Sequence, residues 1–147
     1  MAHMKYLLGT LMKLREAERD REQAALAELL AEEQKQASEQ AALAAQQREL
    51  RQSMARERTG EVRIEQILVA EKYAATLVAN AQAQKTARER LVSAVEQQRL
   101  LLTEADRQVK ILEKWKSRQD LRAREVEARR EARALDEIAI LASGREP

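Results

Sequence analysis

The clearest regularity lies in the second half of the chain, where Leu91, Val95, Gln98, Leu102, Ala105, Val109 and Leu112 alternate spacings of four and three. That alternation keeps one stripe of a helix facing a partner helix. A weaker continuation runs through Ala123 and Val126, and a shifted one through Ala128, Ala132, Leu135 and Ala139, so the stripe drifts away from a strict heptad.

The first half is less regular. Leu7, Leu11 and Leu14 form one short stripe, and Leu26, Leu29, Leu43, Leu50 and Met54 belong to another whose gaps hold Glu33, Gln36, Gln40 and Gln47. Polar residues at seam positions cost stability, and they mark either register control or a helix that is only marginally held.

Breakers are nearly missing. Between Thr10 and Ser143 there is no proline and one glycine, Gly60, set between Arg56-Glu57-Arg58-Thr59 and Glu61-Val62. Basic residues closing a helix, a glycine just past its end and an acid opening the next are stop and start signals. The alternative is a glycine tolerated inside one continuous rod at a cost of about 1 kcal/mol. With a turn at Gly60 the pattern predicts an all-α fold, a long antiparallel two-helix coiled-coil hairpin with unequal arms. Its helices would cover about 4–57 and about 62–142, joined by a turn near 58–61, and 144–147 would form a disordered tail. Residues then pair when their numbers sum to about 120, and at ~1.5 Å per residue the arms measure about 80 and 120 Å. Everything after Trp115 would project beyond the shorter arm.

Composition agrees with this shape. Charged residues make up 35% of the 147 and apolar residues 44%, heavily alanine, with no Phe, two Tyr and one Trp, which is a coiled-coil mixture and not that of a compact core. Zero cysteines exclude a disulfide scaffold and thiol chemistry. The opening Met-Ala-His-Met reads as a cloning-site remnant over 1–3, with Met4 as the natural start. The apolar Tyr6–Met12 segment is cut short by Lys13, with neither the cleavage pattern of a signal peptide nor the ~20 apolar residues of a membrane span.

Charge is balanced overall, +2 net, but not locally. From Arg107 to Arg133 ten Lys or Arg stand against five Asp or Glu, with Arg129 and Arg130 adjacent. These residues fit a solvated helix face. They also fit a free basic helix end that docks on an acidic partner, and Leu135, Ile138, Ile140 and Leu141, exposed on a lone helix, add to that second reading. Tyr73 and Leu77, one turn apart, are either a partner-binding pair or seam residues near the turn. Trp115 falls where the short arm ends and is placed to cap the seam.

Catalytic chemistry finds no support. The one histidine is His3, no glycine-rich loop can cradle phosphate, and pairs such as Glu32-Glu33 and Asp136-Glu137 have no pocket to work in, so no cofactor and no metal site is expected. Nucleic-acid binding is not expected either, because the basic segment is interrupted by acids and carries no aromatic platform beyond Trp115. The alanine-rich helices also lack the bulky apolar face of an interfacial membrane anchor.

A leucine-spaced start, a break near residue 60, an aromatic followed by leucine four later, Leu112-Glu113-Lys114-Trp115 and then Leu135-Asp136-Glu137-Ile138 together resemble the flagellar export protein FliJ family, over nearly everything from Met4 to Leu141. The stalk proteins of virulence type III secretion systems share this build, and a generic structural or membrane-associated coil is the remaining alternative. The resemblance implies a non-enzymatic stalk whose helix ends enter the hexameric ring of the export ATPase. It implies contacts with the cytoplasmic domain of the export gate protein and with export chaperones, and a cytoplasmic location peripheral to the inner membrane. By position, Tyr73 and Leu77 look like the family's aromatic–leucine pair for the gate, with Tyr where Phe is usual. Arg122, Arg124, Arg129, Arg130 and Arg133 lie where a stalk would face the ATPase, although no motif fixes them individually.

Overall fold

The structure, a computed structural model, describes residues 2–57 and 63–144. It consists of two helices, α1 over Ala2–Glu57 with 56 residues and α2 over Ile64–Ser143 with 80, packed against each other as a helical hairpin with unequal arms. The expected turn at 58–61, Gly60 included, falls among residues 58–62 and the end of the expected tail at 145–147; both lie outside the described residues.

The helix ends use the signals written beside them. Arg56 lies in the last turn of α1 and Glu65 in the first turn of α2, each matching the sign of the local helix dipole. The Arg63 carbonyl accepts from the backbone N–H groups of Gln66, at 3.0 Å, and Ile67, at 3.3 Å, which closes the first turn of α2. At its other end the Gly144 N–H donates to the Ile140 carbonyl at 3.0 Å. Thr10, Thr76, Thr86 and Thr103 sit inside helices without orphaning their hydroxyls, because each donates to the carbonyl four residues back.

Contacts divide the hairpin into two units, one formed by residues 2–19 with 104–144 and the other by 20–57 with 63–103. In the second unit the α2 seam is the expected one and extends further toward the helix start: Ala70, Ala74, Leu77, Ala81, Gln84, Leu91, Val95, Gln98 and Leu102 are buried or half-covered. Opposite them α1 covers Glu22, Leu26, Leu29, Glu33, Gln36, Leu43, Gln47, Leu50 and Met54, the leucine stripe with polar gaps that its spacing predicts. Direct bonds fix the antiparallel pairing. Gln98 Nε2 donates to the Glu22 carbonyl at 3.0 Å and also to the Glu22 carboxylate, and Arg88 Nη1 donates to Gln40 Oε1 at 3.0 Å. The first pair has the expected sum of residue numbers and the second lies eight above it.

The first unit corrects one expectation. Leu7, Leu11 and Leu14 do not form its seam: Leu7 is 53% exposed, while its neighbour Leu8 is only 7% exposed. Leu8, Met12, Arg15 and Arg19 are among the covered α1 positions, with Glu16 and Glu18 beside them, and they continue the four-three spacing of Glu22, Leu26 and Leu29 without interruption. One register therefore runs the length of α1, and it keeps that register by accepting Arg15 and Arg19 as flanks of the seam. Their aliphatic stems can cover the groove while the guanidinium groups reach its edge. On α2 Val109, 1% exposed, and Leu112 are the buried partners in this unit.

Candidate functional site

No concave site dominates the surface. Among the described residues no group of three or more His, Cys, Asp or Glu is placed to hold a metal, and no helix is long and apolar enough to cross a membrane. What the fold offers instead is helix surface, and two stretches of it carry the residues singled out by their sequence.

The first is the α2 segment after Leu112. Gln119 is half-covered, and every other described side chain from Glu113 to Gly144 is exposed. The stripe drifting through Ala123 and Val126 is exposed along with the rest. Arg122, Arg124, Arg129, Arg130 and Arg133 all lie on this segment with exposed side chains, and Leu135, Ile138, Ile140 and Leu141 stand exposed beyond them. Two ion pairs just before this segment stay local to α2. Lys110 Nζ lies 2.9 Å from the Asp106 carboxylate and Arg107 Nε lies 3.6 Å from that of Glu104. The hydrogen bond to Asp106, and then its charge, hold the Lys110 ammonium above the ordinary lysine value.

The second stretch is the start of α2, and here the structure separates a pair that spacing had put together. Leu77 is 3% exposed and belongs to the seam, whereas Tyr73 is 46% exposed and stands beside the seam at the flank of Ala74. Four residues apart on one helix brings the two side chains onto adjoining faces, but only one reaches solvent. The first turns of α2, before Tyr73, carry further exposed apolar side chains that sequence reasoning passed over: Ile64, Ile67, Leu68 and Val69. For three of them the signal was available, because Ile64, Leu68 and Val69 fall outside the four-three spacing that leads through Ala70, Ala74 and Leu77, whereas Ile67 falls on it and is exposed all the same. Trp115 is half-exposed beside the last buried seam residue, Leu112, so it flanks the seam and does not close it.

Two antiparallel helices with a single seam and an exposed α2 end define the chain as a helical hairpin. The model of the flagellar FliJ protein family matches residues 4–147, essentially the whole chain, and the chain belongs to that family. No characterised protein and no solved structure gave a match. The family is a structural component of flagellar, type III protein export and not an enzyme family.

Proposed function

We propose that this chain is the stalk of the flagellar export ATPase. In this role the uncovered end of α2 enters the hexameric ATPase ring, promotes ring assembly and couples the ring to the export gate, and the same protein takes part in escorting export chaperones. It would work in the cytoplasm, at the inner membrane only through its partners. The observation that carries the reading is the exposed segment from Glu113 to Gly144, where Arg122, Arg124, Arg129, Arg130 and Arg133 precede the exposed apolar side chains of Leu135, Ile138, Ile140 and Leu141.

That combination suits a rod held in a ring. Charge on a rim steers association and keeps contacts exchangeable, and a few apolar side chains at the end supply the area that holds the rod in place. The gate contact is assigned to Tyr73, with exposed Val69 one turn before it. Leu77 supports that surface from within the seam.

Replacing Arg129, Arg130 and Arg133 together by Glu reverses the charge of the segment without touching a buried residue. The reading expects unchanged helicity and loss of stimulation of the partner ATPase. Full stimulation by this variant would remove basic docking from the account. Co-sedimentation of the unaltered chain with the ATPase, run beside liposomes, separates a stalk from a membrane-associated coil.

A further inference from the structure

In the second unit three successive seam positions of α1, Glu33, Gln36 and Gln40, and two of α2, Gln84 and Arg88, are polar. They separate an apolar block around Leu29, Leu91 and Val95 from another around Leu43, Leu50 and Leu77. Packing does not close the gap. Gln36, Glu39, Gln40, Gln84, Ala87 and Arg88 line a void of about 70 Å³. Gln36 Oε1 and Gln84 Oε1 are both buried and neither accepts a hydrogen bond from the protein.

A buried acceptor without a donor carries its full desolvation penalty, and polar voids relieve that penalty by taking up water. The space here is several times the ~10–15 Å³ that a single water needs. A direct bond across the gap, Arg88 Nη1 to Gln40 Oε1, is exposed and reaches neither of the two buried acceptors.

We infer that this gap is a water-binding site inside the coil, with water donating to Gln36 Oε1 and Gln84 Oε1, and that the hairpin opens first at this layer. Parting the helices at an apolar layer exposes surface that folding had removed from water. Parting them at a layer already hydrated exposes little. The stretch of unit two carrying Leu43, Leu50 and Leu77 therefore behaves as its own cooperative element, able to separate and re-form while the block around Leu29 and Val95 stays closed.

Hydrogen–deuterium exchange on the full chain tests this directly. Peptides over 40–57 and 66–84 should exchange together, at least about tenfold faster than peptides over 22–33 and 91–103, with a step at Gln36 and Gln84. Uniform protection, or a smooth gradient with no step, overturns the inference. Gln36→Leu combined with Gln84→Leu replaces the wet layer by an apolar one and should abolish the step; a step that survives the exchange also overturns it. Water binding has its own readout: long-lived water should give NMR cross-peaks to the side-chain amides of Gln36 and Gln84 in the native chain. Their absence would sink the hydrated site.

Discussion

Leu77 and Tyr73 provide the sharpest check on which side chains hold the coil and which are left for partners. Leu77→Ala removes about three carbons at ~0.8 kcal/mol each, or roughly 2.4 kcal/mol of transfer free energy. The cavity contribution is small, since solvent can collapse into the groove of a two-helix seam, so the expected loss is about 2–3 kcal/mol, near the lower end for buried leucines. That corresponds to about a 30- to 150-fold shift in the folding equilibrium. Tyr73→Ala removes a ring that already sits half in water, so its expected cost stays below about 1 kcal/mol. Urea titrations followed by circular dichroism at 222 nm, run in parallel on the two variants, measure both. Equal losses, or a Leu77→Ala loss under ~0.5 kcal/mol, would refute the seam assignment. With the assignment intact, weaker binding of the gate domain by Tyr73→Ala reports a lost contact, and the same result for Leu77→Ala reports a loosened coil.

Gly9 sits inside α1 with nothing within 4 Å of where a Cβ would lie, so Gly9→Ala should stabilise the chain by about 0.5–1 kcal/mol, read as a higher melting temperature. Gln98→Ala removes the donor to the Glu22 carbonyl and carboxylate and should cost about 1–2 kcal/mol in denaturant titrations; no change would mean the bond does not hold the pairing. The raised Lys110 value adds stability that is fully present below the ordinary lysine range and is lost as pH rises through the raised value. NMR titration should show Asp106→Asn returning Lys110 toward ordinary behaviour, and an unaltered titration would rule out Asp106 as the cause.

Chemistry in the sequence was enough to specify two helices, the α2 stripe from Leu91 to Leu112 and the uncovered basic end. Helical periodicity and the shortage of breakers are local properties, and a helix of 80 residues beside one of 56 must leave an end uncovered whatever the details of packing. The exposure of Arg122, Arg124, Arg129, Arg130 and Arg133 on α2 was legible to the same extent.

The register of α1 was not legible. Leu7, Leu11 and Leu14 look as apolar as Leu8 and Met12, and Arg15, Arg19 and Glu22 do not reveal from hydropathy that they occupy seam positions. Only the partner helix decides. A seam can hold one stripe, and the buried Leu43 together with Leu26, Leu29 and Leu50 anchors that stripe in the second unit. The four-three spacing then carries the stripe through the polar positions to Leu8, leaving the competing leucines on the outside. Tyr73 and Leu77 parted for the same reason: a helix turns 100° per residue, so two side chains four apart share a face only until a seam edge falls between them.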